Sequence, residues 1–153
     1  MANSVSLIFR NPCFMPPVIS WATAQAIKVL LNLIIKHRID ATRFIGAGGM
    51  PSAHSAFVCC LAFSCGLNYG FDSAYFAISA ALAIVVMYDA AGVRRAAGKQ
   101  AAKINNIIKH LMENKNVDFD DTGKQLKELL GHTPLEVFAG ACLGTLMAFL
   151  FAL

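Results

Sequence analysis

Four long apolar stretches, at approximately 17–35, 51–70, 72–92 and 133–153, alternate with polar gaps of very unequal length. Each is close to the about 20 helical residues that cross a hydrocarbon core of about 30 Å. The pattern predicts an all-α integral membrane bundle of about four transmembrane spans. The gap 67–74 (Leu-Asn-Tyr-Gly-Phe-Asp-Ser-Ala) carries only one charge, Asp72, so the second and third spans should form an antiparallel hairpin. The gap 93–132 is far longer. Within it Ile104, Ile107, Ile108 and Leu111 recur at helical spacing between lysines, which predicts a cytoplasmic amphipathic helix on or beside the membrane surface. A second short helix is expected over 123–130, ending at Gly131.

Composition agrees with a chain whose main solvent is not water. Of 153 residues, 57% are hydrophobic and 14% charged, against about one quarter charged in soluble domains. A single membrane-embedded domain over 1–153 is the natural organisation at this length. Residues 1–16 combine Arg10 with Asn11, Pro12 and Pro16, and no small-x-small cleavage site follows, so the first span is expected to be retained. Five cysteines (Cys13, Cys59, Cys60, Cys65, Cys142) form no CxxC pair and fall mostly in apolar segments, pointing to neither a disulfide framework nor a metal site. No cofactor is implied.

Charge sets the orientation. Lys36, Arg38 and Arg43 occupy the gap 36–50, and Arg94, Arg95 and six lysines occupy the gap 93–132. Four spans put both gaps on one side, which the positive-inside rule makes cytoplasmic, in a bacterial inner membrane. The net charge of +4 is modest, and the basic residues are not interleaved with aromatics as in a nucleic-acid stripe. Anionic lipid or phosphate is the better partner, nucleic acid is not expected, and a homo-oligomer is left open.

Candidate chemistry gathers at the same end. Gly46, Gly48 and Gly49 lead into Pro51, Ser52 and His54 at the start of the second span. A glycine loop feeding a capped helix start presents free N–H groups and the positive end of the helix dipole to an anion. At the start of the fourth span, His132 and Glu136 stand four apart, so the carboxylate can fix the imidazole tautomer. Each feature has a plainer reading. The first is also an ordinary capped helix with an interfacial histidine, and Thr133-Pro134-Leu135-Glu136 is itself a capping-box sequence. Lys36, Arg43, Arg94 and Arg95 can clamp phosphate oxygens or simply flank the membrane. Lys28 lies within the first span, on a stripe with Gln25, Asn32 and Lys36. An intramembrane lysine is expensive there unless it faces the bundle interior or a wet cavity.

As a set, Lys36 and Arg43, Pro51 to His54, and His132 with Glu136, Val137 and Gly140 resemble the tripartite signature of the type 2 phosphatidic acid phosphatases and vanadium haloperoxidases. The chain most resembles the small divergent branch of these acid phosphatase-like proteins, including Tyr88, Asp89, Gly92, Arg94 and Arg95. The resemblance implies that His132 is a nucleophile forming a phosphohistidine, with Glu136 as its acidic partner. His54 would protonate the leaving group, and Lys36, Arg43 and Ser52 would hold phosphate. It implies metal-independent hydrolysis of a phosphomonoester, lipid-linked or otherwise amphiphilic. Phe44, Ala53 and Glu136 depart from the family's usual proline, glycine and aspartate. Leu126 stands where the family carries an arginine, so Arg94 or Arg95 would have to supply that guanidinium. Two other classes remain in view. A non-catalytic protein could bind an anionic headgroup on the same scaffold, and a small transporter could use Lys28 and Asp89.

Overall fold

The computed structural model describes residues 2–36, 49–115, 126 and 131–153, with side chains at 6–34, 49–110, 126 and 131–153. Among the described residues every regular element is helical: α1 (Ala2–Phe9), α2 (Met15–Lys36), α3 (Ala53–Tyr69), α4 (Ala74–Tyr88), a π-helical turn (Asp89–Val93), α5 (Arg94–Lys115) and α6 (Pro134–Ala152). Local chemistry sets the boundaries. Ser52, Ser73 and Thr133 are N-caps of α3, α4 and α6, each accepting from a backbone N–H in the first turn. Such caps contribute about 1 kcal/mol each. α3 stops at Gly70, whose φ of 92° is open to glycine and whose N–H bonds back to the Gly66 carbonyl at 2.9 Å.

α3 is the hub, packed against α2, α4 and α6, while α2 also touches α6. α2 runs antiparallel to α3, with Ser20 against the Ala56 carbonyl and Lys28, further along α2, beside Gly49 before α3. α4 returns antiparallel after the short turn at Gly70, bringing Met87 near its end to Cys59. α6 runs parallel to α3, with Gly140 over Ser52 and Gly144 over Ala56 and Cys60. The contact face is built of small residues: Ala53, Ala56 and Cys60 on α3, and Gly140, Gly144 and Ala148 on α6, are all buried. Glycines and alanines four apart let two backbones approach, and in lipid that close packing replaces the hydrophobic drive available in water. The large apolar side chains turn outward instead: Ile34, Ile78, Ile84, Val85 and Phe138 are each about two-thirds exposed. In a bilayer this outer surface meets hydrocarbon.

Among the described residues three helical runs are long and apolar enough to cross a membrane: Met15–Ile34, Ala74–His110 and Pro134–Ala152. α3, with 17 residues, is about 25 Å long and lies at the centre of the other three. The third span and the amphipathic helix expected after it are one continuous helical run from Ala74 to Lys115, interrupted only by the π turn. Alanine-rich sequence without proline across 90–102 allows helix to continue through what charge alone marked as a span end. α5 does carry Ile104, Ile107 and Ile108 exposed along its length. α1 is an added element, a short helix for which the sequence made no prediction. The expected helix at 123–130 lies outside the described residues except Leu126, whose N–H and carbonyl both bond to the Asn105 side chain on α5.

Candidate active site at the helix entrances

The entrance to α6 is a capping box that does more than cap. The Thr133 hydroxyl accepts from the Glu136 N–H at 3.3 Å, and Glu136 Oε2 accepts from the Thr133 N–H at 2.9 Å. The same Oε2 lies 3.1 Å from Nδ1 of His132. A carboxylate there makes Nδ1 the protonated nitrogen and leaves the lone pair on Nε2. His132 is 3% exposed, and its Nε2 is buried without a hydrogen-bond partner among the described residues. Burial pushes the imidazole below its ordinary pKa of 6.5; the Glu136 hydrogen bond opposes this, and the nearby charges of Lys28 and Arg94 reinforce it. A neutral ring with an anchored Nδ1–H and an unengaged Nε2 is the form in which histidine attacks an electrophile.

A backbone hydrogen bond ties the entrance to α3 to this group: the Ser52 N–H donates to the Glu136 carbonyl at 2.9 Å. Ser52 is fully buried, and its Oγ accepts from the Ser55 hydroxyl at 3.0 Å and the Ser55 N–H at 3.4 Å. Just before it, Gly49 has a φ of 89° and sits beside the Lys28 side chain, where an added Cβ would lie 4.0 Å from Cδ. Lys28 therefore reaches Gly49 from α2, as a membrane-embedded lysine facing the bundle should. His54, in the first turn of α3, is exposed and lies within electrostatic reach of Arg94, His132, Lys28 and Asp89.

The third contributor is the π turn. In an α-helix the Arg94 N–H would bond to the Ala90 carbonyl, four residues back; here it bonds to Asp89, five back. The Ala90 carbonyl accepts instead from the His132 N–H at 2.9 Å. Gly131, at φ 93°, lies so close to the backbone of Arg94 and Arg95 that any Cβ would overlap it. The segment carrying His132 is thus docked onto the π turn and the start of α5 through backbone contacts. On the same turn Asp89 and Arg94 form an ion pair, Oδ2 to Nε at 2.6 Å.

The sequence of the Divergent PAP2 family matches this chain over residues 9–147. The chain belongs to that family. It is also 43% identical over 136 residues, covering 84% of this chain and 86% of the other, to the uncharacterized membrane protein YuiD of Bacillus subtilis (strain 168). No solved structure matches it.

Of the residues singled out for the divergent PAP2 site, the structure brings His132, Glu136, Ser52, His54 and Arg94 to one end of the bundle. Arg95 adjoins through its backbone contact with Gly131. Lys36 ends α2, its side chain outside those described, and Arg43 lies outside the described residues. Two features were not legible beforehand. One is the Ala90 carbonyl, which enters only because the helix takes a π turn. The other is an apolar cavity of about 320 Å³ lined by Trp21, Phe57, Val58, Val86 and, as its polar member, His54. Its residues come from α2, α3 and α4 and share no periodicity that a sequence scan would register.

Proposed function

We propose that this divergent PAP2 protein hydrolyses a phosphomonoester borne on a lipid-like alcohol, through a phosphohistidine on His132. The carrying observation is the state of that ring: buried, with its pKa lowered by burial, Nδ1 held by Glu136 and Nε2 without a partner among the described residues. In the first step Nε2 attacks phosphorus, the bond from phosphorus to the alcohol oxygen breaks, and protonated His54 gives its proton to the departing oxygen. In the second, water attacks phosphorus, neutral His54 takes its proton, and the nitrogen–phosphorus bond breaks to release phosphate. Lys36, Arg43, Arg94 and Arg95 supply positive charge to the equatorial oxygens, joined by the Ser52 hydroxyl. Lys28 adds charge from α2. The chemistry needs no metal in this scheme.

The cavity beside His54 supports an amphiphilic substrate. The group that protonates the leaving oxygen is the polar member of an otherwise apolar lining, so the leaving alcohol would lie along Trp21, Phe57, Val58 and Val86. By the positive-inside rule the site faces the cytoplasm. Filling the cavity with Val86→Trp is expected to lower kcat/KM for long-chain lipid phosphates about tenfold, an apolar contact of about 1.4 kcal/mol. A small aryl phosphate, which does not use the cavity, should be turned over within about twofold of wild type. Equal losses on both substrates would remove the cavity from the scheme.

The test of the whole proposal is phosphate release by detergent-purified protein in excess EDTA, from a panel of lipid phosphates and an aryl phosphate. Release is expected, with an alkali-stable, acid-labile phosphoprotein trapped from labelled substrate. One observation favours a second reading, a non-catalytic phosphate or headgroup binder. Leu126, at the family's arginine position, is engaged through its backbone with Asn105 on α5. Binding of inorganic phosphate with no release from any substrate would decide for that binder.

A further inference from the structure

Asp89 has no part in the scheme above, yet it is an acidic residue near an anion site. It lies on a helical run apolar enough to cross a membrane, Ala74–His110. An ionised carboxylate there is costly and calls for a partner or a task. Its partner is Arg94, five residues on, and the contact is made through Nε at 2.6 Å. That spacing depends on the π turn, which shifts Arg94 around the helix axis relative to an α-helical register. The same turn presents the Ala90 carbonyl to the His132 N–H. One local distortion therefore fixes both the backbone of His132 and the guanidinium that acts on His132 and His54.

A stability role is a weak explanation for the pair. Its side chains are 47% and 37% exposed, and solvent screening leaves such pairs worth little. The chemistry of the contact is more informative. Engagement at Nε, the inner nitrogen, orients the guanidinium plane and leaves the outer fork of two terminal nitrogens for a bidentate grip on phosphate.

We propose that Asp89 is a positioning residue: it holds Arg94 so that the outer fork of the guanidinium meets the phosphate poised between His132 and His54. This rests on the phosphatase proposal and adds to it a residue, the reason for the π turn, and a choice of Arg94 over Arg95. It also fixes a sign. Simple Coulomb repulsion predicts that removing the Asp89 charge tightens anion binding; loss of a positioned guanidinium predicts that binding weakens.

The experiment measures two quantities in detergent for wild type, Asp89→Asn, Asp89→Glu, Arg94→Ala and the double variant Asp89→Asn/Arg94→Ala. These are the Kd of inorganic phosphate and the KM and kcat for one lipid phosphate. Asp89→Asn should raise Kd and KM about tenfold, with kcat changing less than about threefold. Asp89→Glu should restore most of the loss, and Asp89→Asn should add nothing once Arg94 is alanine. Unchanged or tighter phosphate binding in Asp89→Asn, or an additive loss in the double variant, overturns the positioning role while leaving the phosphatase intact, since wild-type turnover is read in the same assay. Wild-type protein that neither binds phosphate nor releases it overturns both.

Discussion

His132→Ala is expected to lower kcat/KM by at least about 10³-fold, about 4 kcal/mol of transition-state stabilisation, and to abolish the trapped phosphoprotein. The fold should survive. The backbone N–H that bonds to the Ala90 carbonyl is retained in alanine, and the Thr133–Glu136 capping box does not depend on the ring. Thermal unfolding in detergent should therefore shift by no more than about 2 kcal/mol, as expected for one lost hydrogen bond and a small cavity. Turnover persisting within about tenfold of wild type in a folded variant would rule out His132 as nucleophile. The pH profile offers an independent check. In the proposed mechanism His132 attacks as the neutral ring; burial lowers its pKa from 6.5, so the ring stays neutral down to a pH below 6.5 and the acid limb of kcat/KM should lie there. Glu136 raises that pKa through its hydrogen bond and its charge. Glu136→Gln should therefore move the acid limb lower still while reducing the rate, because the neutral amide orients the ring but no longer supports positive charge on it.

How much of this was readable from the chain depends on whether a feature is local. The capping box at Thr133 to Glu136, the Ser52 cap and the His132–Glu136 pair are local, set by spacings of three or four residues, and each occurs as the sequence predicts. The hairpin at Gly70 is local too. Gly140 was singled out only within the signature and Gly144 not at all, because what they do depends on which helix lies opposite. The run through 89–95 is the instructive case. Asp89, Gly92, Arg94 and Arg95 mark a span end by charge, and a span end they nearly are, but alanine keeps the chain helical and the irregularity becomes a π turn. Nothing in the residue pattern distinguishes Arg94 from Arg95. A one-residue shift of helical register decides between them, and that shift is stabilised from outside the helix, by the His132 N–H and by the backbone contact of Gly131. The apolar cavity was unreadable for the same reason, since three helices contribute to it.

The largest structural effect is expected at Gly144, where the ordinary sign of a glycine substitution reverses. Replacing a helical glycine by alanine gains about 1 kcal/mol of propensity when nothing is in the way. At Gly144 the new Cβ would overlap the Ala56 carbonyl and lie 2.9 Å from the Cys60 backbone nitrogen, contacts with backbone that cannot rotate aside. The helices must part, and because α3 is the hub their separation also loosens α2 against α6. Gly144→Ala should cost about 2 kcal/mol net and Gly144→Leu about 3 kcal/mol or more, lowering the detergent melting temperature by about 10 °C in the second case. Gly92 is the control, since among the described residues nothing beyond its own helix backbone and chain neighbours comes within 4 Å of an added Cβ, and Gly92→Ala should be neutral or mildly stabilising. Gly140 separates packing from chemistry. Its Cβ would strike the Ser52 carbonyl, in the residue whose N–H holds the Glu136 carbonyl. Gly140→Ala should therefore lose activity well beyond its loss of stability, whereas Gly144→Ala, one turn further from the entrance, should lose stability while the folded fraction keeps a near-normal kcat. Equal effects of the two alanines on activity per folded molecule would show that the helix entrances do not depend on the Ser52–Glu136 link.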